Sequence, residues 1–161
     1  MRRGATFDCT GRYRYTLWRT WDTRLPRLAF VMLNPSTADH RVDDPTIRRC
    51  MGFAQSWGYG SLVVVNLFAF RTSSPALLAR APEPVGPQND QYLRAARRRA
   101  RDIVVAWGAH GSLHGRDRIV LDLLGRRRRR SLLCLGTTAH GHPRHPLYLQ
   151  KSTPLQRFVI K

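Results

Sequence analysis

Between residues 6 and 19 apolar and polar positions alternate, with Phe7, Tyr13, Tyr15 and Leu17 flanking Thr10-Gly11. A period of two around a glycine turn predicts a β-hairpin. Leu28 to Leu33 is an unbroken apolar run that stops at Asn34-Pro35-Ser36. A short run without alternation predicts a strand buried on both faces, as parallel sheets require. Pro45 behind Asp43-Asp44 opens a helix that either carboxylate caps, and Ile47, Met51, Ala54 and Trp57 recur at helical spacing as far as Gly58. Ser61 to Leu67 predicts a second buried strand, and Pro75, Pro82, Pro84 and Pro87 mark a loop. Asn89 or Asp90 caps a helix reaching about Arg101, and Ile103 to Gly108 predicts a third strand. A helix carrying Ile119, Leu121 and Leu124 ends at Gly125, and Leu132 to Gly136 predicts a fourth strand. Short strands separated by helices predict an α/β protein: a three-layer α/β/α sandwich around a central four-stranded parallel sheet, with the N-terminal hairpin appended. No internal repeat or linker interrupts the 161 residues, which read as a single domain.

In such sheets ligands bind outside the carboxyl ends of the strands. The predicted ends are Asn34, Asn66, Trp107-Gly108, and the stretch His140-Gly141-His142-Pro143-Arg144-His145 after the fourth strand. Neither G-x-G-x-x-G nor G-x-x-x-x-G-K-[ST] occurs, which disfavours dinucleotide and P-loop sites. No G-x-S-x-G elbow occurs either. Cys9, Cys50 and Cys134 are scattered, with no metal-ligand spacing, so they read as reduced thiols and no metal site is expected.

Charge adds a partner class. Lys and Arg total 28 against 10 Asp and Glu, a net charge of +18, and Lys151 and Lys161 are the only lysines. Guanidinium forks suit bidentate phosphate contacts, and a surface this basic attracts polyanions. Nucleic acid is therefore the expected partner, with an anionic membrane surface as the weaker alternative. No apolar run approaches the length of a membrane span and no signal peptide opens the chain, so a cytoplasmic, nucleoid-associated monomer without membrane contact is expected.

The strand ends resemble the motifs of the uracil-DNA glycosylase superfamily, in the same chain order. Val31-Met32-Leu33-Asn34-Pro35-Ser36 is similar to the Asn-Pro first motif of its mismatch-specific branch. Phe53 in Met51-Gly52-Phe53-Ala54 matches the aromatic that stacks on the base, and Leu62-Val63-Val64-Val65-Asn66 resembles the strand ending in a base-reading Asn. Trp107-Gly108-Ala109-His110 matches a third motif, and His145-Pro146-Leu147-Tyr148-Leu149 the last. The same wording, Leu33 to Asp39 and Gly141 to Leu149, also looks like a bacterial family of unknown function. Leu33 replaces the leading Gly, and Ser36 or Thr37 stands where a bulky Tyr excludes thymine, so strict uracil specificity is not implied. Four cysteines for an iron–sulfur cluster are absent.

The resemblance implies a cofactor-independent hydrolase that extrudes a damaged or modified base and cuts its N-glycosidic bond. Such a cut leaves an electron-poor sugar and an anionic base, so it needs an oriented water on one side and hydrogen-bond donors on the other. Asn34 would hold the water, although it has no carboxylate to act as a strong base. His145 would donate to the leaving base, and His142-Pro143 repeats the motif three residues earlier. Asn66 offers both a donor and an acceptor for a base edge. Phe53 and Ser36 would contact the base, with Arg48, Arg49, Arg71 and Arg144 on phosphates. Leu147, Tyr148 and Leu149 could wedge into the gap left by the base. Two other readings stay open from the residues alone: a non-catalytic nucleic-acid binder, and a hydrolase of free nucleosides or nucleotides.

Overall fold

The computed structural model describes residues 1–125 and 131–160. The run Arg126 to Arg130 lies outside the described residues. The strands are β1 (Arg2–Phe7), β2 (Arg14–Thr20), β3 (Arg27–Met32), β4 (Ser61–Asn66), β5 (Asp102–Val105), β6 (Leu133–Cys134) and β7 (Gln156–Arg157). The α-helices are α1 (Pro45–Ser56), α2 (Pro75–Arg80), α3 (Asn89–Arg99) and α4 (Arg116–Gly125), the last preceded by a 3-10 segment at Ala109–Gly115.

The protein is mixed α/β, and its sheet is larger than the four parallel strands expected. Seven strands form one mixed sheet in the order β1-β2-β4-β3-β5-β6-β7. β3 pairs in parallel with β4 on one side and β5 on the other, whereas β6 meets β5 at one residue pair, Val104 with Leu133. The hairpin is not an appendage: β2 runs antiparallel to β4 and carries β1 on its outer edge. β7 pairs antiparallel with β6 and carries no apolar run that would have announced it.

Alternate residues of the central strands enter two apolar clusters. Leu28, Phe30 and Met32 join Leu62, Val64, Val104 and Ala106 against Ile47, Cys50, Phe53 and Ala54 of α1. Ala29, Val31, Val63, Val65, Ile103 and Val105 join Leu93 and Ala96 of α3 and Val120, Leu121 and Leu124 of α4. The unbroken apolar runs follow from this, because both faces of β3, β4 and β5 are covered. A fully buried side chain such as Phe30 stabilises the fold by about 1.5–3 kcal/mol.

Helix α1 begins as its sequence predicts, with Asp44 Oδ1 accepting from Ile47 N at 2.9 Å and Pro45 in the first turn. Helix α2 occupies part of the stretch read as a Pro-rich loop. Ser74 Oγ caps it at Leu77 N, and Pro75 sits where a missing N–H costs nothing.

A β-bulge shapes the sheet beside the future site. Thr6 pairs with Thr16, but Phe7 pairs with Arg14, which leaves Tyr15 as the extra residue. Tyr15 stacks on Tyr92 of α3 with ring centroids 4.9 Å apart. The bulge brings Arg14 and Arg19 to the same loop. Arg14 Nη1 donates to Ala38 O at 2.9 Å, and Arg19 donates to Asp39 O at 2.7 Å and Asp43 Oδ1 at 2.8 Å. No α-helix among the described residues is long and apolar enough to cross a membrane.

Candidate functional site

Asn34 lies just past β3, and its side chain ties two strand ends together. Backbone pairing continues beyond the strands, with Leu67 N donating to Met32 O at 2.9 Å and Phe68 N to Leu33 O at 3.0 Å. Asn34 Nδ2 then donates to Thr72 O at 2.8 Å and to Phe70 O at 3.2 Å. Its amide hydrogens are thus directed at the loop after β4, and Oδ1 makes no hydrogen bond among the described residues. The half-buried side chain can accept a hydrogen bond from water but cannot take up its proton.

Asn66 closes β4 and is 1% exposed. Alternation puts it on the same face as Leu62 and Val64, toward α1. Both Nδ2 and Oδ1 are buried without a partner among the described residues, while its backbone O accepts from Asn89 Nδ2 at 2.9 Å. A buried amide left unpaired costs about 1–3 kcal/mol per group, so this is an expensive arrangement.

His145 sits in the loop after β6, half-buried against Gly108, where a Cβ would stand 3.6 Å from that of His145. Gly108 has φ +75°, a conformation glycine adopts freely, and its N–H donates to Pro143 O at 2.9 Å. Leu147 N donates to His145 Nδ1 at 3.1 Å. With Nδ1 accepting, the ring is neutral and carries its proton on Nε2. Burial holds the imidazole pKa below its ordinary value, against the pull of the Asp44 carboxylate. Asp44 thus faces His145 from the start of α1, and it is also an electrostatic neighbour of Arg14.

The structure separates the two histidines that the sequence offered together. His142 lines a cavity of about 800 Å³ with Trp107, Asp117 and Phe158, on the side of α4. Trp107 points away from α1, its Nε1 buried and unpaired among the described residues. His110 is exposed on the 3-10 segment. Within Leu147-Tyr148-Leu149 the roles also divide. Leu149 enters the α1-side core, whereas Tyr148 is 90% exposed with φ +70°, a rare conformation for a residue with a side chain.

Phe53 is 2% exposed and stacks on Trp57 at 5.2 Å, so it belongs to the core. It also floors a groove of about 600 Å³ on the outer side of α1, whose rim carries Arg48, Arg49 and Lys151. The Arg49 guanidinium lies 5.8 Å from the Phe53 ring centroid. Ser36 and Arg71 line a separate open basin with Arg12 and Ser73, and Ser36 Oγ meets Ser73 Oγ at 2.6 Å. Arg71 Nε donates to Ser36 O at 3.4 Å, and its guanidinium covers the Phe7 ring at 4.8 Å. Arg144 is exposed beside Gly136. Asn34, Asn66 and His145 line neither the groove nor the basin. Among the described residues no three His, Cys, Asp or Glu side chains stand close enough to hold a metal ion.

A family profile matches residues 14–147, from the bulge that places Arg14 to the loop that holds His145. The chain belongs to this family, described as "Protein of unknown function (DUF1643)". The matched stretch contains Asn34, Asp44, Asn66 and His145, and also Arg14 and Arg19, which sequence reasoning missed. No curated protein and no solved structure matches the chain. Arginine composition hid Arg14 and Arg19 among 26 other cations, because only the bulge and the loop carbonyls distinguish them from surface charge.

Proposed function

We propose that this DUF1643 protein is a DNA glycosylase that hydrolyses the N-glycosidic bond of a damaged or modified base, extruded from DNA. The observation that carries the reading is Asn66, whose buried amide leaves a donor and an acceptor unmet at the carboxyl end of β4. A base edge supplies the complementary acceptor and donor. Because Asn66 is 1% exposed, the base reaches it only when the covering loops part.

In this reading the C1′–N bond breaks with its electron pair passing to the base. His145 Nε2–H donates to that developing anion, and a neutral imidazole is a donor that needs no proton transfer. Asn34 Oδ1 orients the water whose oxygen bonds to C1′, and the released proton passes to solvent. Exposed Tyr148 fills the space the base vacates. Arg48, Arg49 and Lys151 receive phosphates along the α1 groove, Arg71 and Arg12 in the basin, and Arg144 beside the last loop. The reading includes a three-layer α/β/α arrangement around a four-stranded parallel core, a monomer, a cytoplasmic, nucleoid-associated location, and no cofactor.

One observation favours a second reading, that of a non-catalytic DNA binder. The groove and the basin both present basic side chains, and neither is lined by Asn34 or Asn66. Oligonucleotides each carrying one altered base, assayed for abasic sites, separate the two: the glycosylase releases a base from at least one, and the binder from none.

A further inference from the structure

Helix α3 covers β4 and only part of the adjoining face of β2, and a groove of about 420 Å³ opens beside it over β1 and β2. Its floor holds Trp18, and Tyr92 of α3 forms part of the wall. Gly4 makes the floor possible: a Cβ at that position would stand 2.3 Å from Trp18 Cε2 and 2.6 Å from Nε1. The indole therefore lies down across β1 rather than standing off it. Around it are Arg2 of β1, Arg27 at the start of β3 and Arg99 at the end of α3. None of these three is ion-paired among the described residues, and no carboxylate lines the groove. Thr16 Oγ1 donates to Thr6 Oγ1 at 3.1 Å and completes a polar, hydroxylated edge.

Three cations from three elements, gathered around a half-buried indole, match the chemistry of a chain of phosphates carrying flat apolar bases. They match a bare anion less well, since a free phosphate has no use for the indole. The place is also separate from the candidate site. Arg27 and Ser61 open their strands, whereas Asn34 and Asn66 stand at the far ends, about 20 Å away at 3.3 Å per residue.

We infer that this groove is a second nucleic-acid site that takes a single-stranded segment, with one base on Trp18 and its flanking phosphates on Arg2, Arg27 and Arg99. The inference rests on the nucleic-acid part of the proposed function and is independent of base excision. The probes are fluorescent dT12 and a deoxyribose-phosphate 12-mer without bases, titrated into the full chain by anisotropy at fixed salt. Wild type binds dT12 more tightly than the abasic 12-mer. Trp18→Ala removes that preference with a loss of about 5- to 150-fold on dT12, the range of one base–aromatic stack. Trp18→Phe keeps part of it, which guards against a variant that merely unfolds. Arg27→Gln with Arg99→Gln weakens both probes, whereas the charge-matched Arg94→Gln with Arg98→Gln on the exposed side of α3 weakens them far less. Equal losses from the two arginine pairs, or a base preference that survives in Trp18→Ala, would overturn the inference. Base release by the Arg27/Arg99 variant from a short altered-base duplex is retained, so failure here and failure of the glycosylase reading give different results.

Discussion

Leu147 donates its backbone N–H to Nδ1 of His145 at 3.1 Å, and this bond decides what the imidazole can do. The proton is left on Nε2, and burial keeps the ring neutral. Folded chain and unfolded chain therefore differ in proton uptake at this residue. The unfolded histidine takes up a proton near pH 6.5, where the folded one does not. Its contribution to stability is present above that pH, falls as the pH drops below 6.5, and stops changing once the folded ring is itself protonated. Thermal melts between pH 7 and pH 5 should show a shallower acid slope in His145→Gln than in wild type. Asp44→Asn should move the His145 midpoint further down in an NMR titration, because Asp44 raises it.

Arg19 is a buried cation on which the loop before α1 depends. Its guanidinium meets Asp43 Oδ1 at 2.8 Å and the carbonyls of Trp18 at 2.9 Å and Asp39 at 2.7 Å. Arg19→Met leaves Asp43 with only its longer pair to Arg3 at 3.4 Å, takes a donor from those carbonyls, and should lower stability by about 3 kcal/mol in a denaturant titration. Arg24→Met, which removes an exposed pair with Asp22, should leave the denaturation midpoint where it is.

Asn66 should behave in the opposite sense. Replacing its unpaired amide by an apolar group of similar shape, Asn66→Leu, removes two buried orphans and should leave stability unchanged or raise it by about 1–3 kcal/mol. The same variant should release no base. A protein weakened by Asn66→Leu would mean that the amide is already satisfied, and the recognition role would lose its basis.

The α1 groove makes a prediction about salt. If Arg48, Arg49 and Lys151 each meet one phosphate, each neutralisation to Gln should flatten the slope of log affinity against log salt by about 0.9 on duplex DNA. Slopes that match wild type in all three variants would remove the groove from the DNA path.

Much of this arrangement was legible from hydrophobic pattern. The runs at Leu28–Leu33, Ser61–Leu67 and Ile103–Gly108 announced strands because both faces are covered, and Asp44-Pro45 announced the start of α1. Strand-end logic also brought Asn34, Asn66 and His145 to one end of one sheet. The sheet's width escaped it, since β7 has two exposed residues and no apolar signature. Helix α2 escaped for another reason: prolines mark both loops and first turns, and Ser74 is what distinguishes them. That His142 lines the α4-side cavity and His145 does not could not be read, because it depends on which way each loop residue faces. Phe53 shows the same limit, since a helical aromatic at core spacing is compatible with a covered ring.

The central claim is tested most directly by base release from a panel of altered-base oligonucleotides, comparing wild type with Asn34→Ala, His145→Ala and His142→Ala. Wild type should generate abasic sites on at least one substrate. Asn34→Ala and His145→Ala should keep DNA affinity, which resides mainly in arginine–phosphate contacts, and lose base release by about 10²–10³-fold. Their double variant should be close to inactive, and His142→Ala, on the opposite side of the sheet, should lose much less. Tight DNA binding by a wild-type protein that releases no base from any substrate would contradict the account.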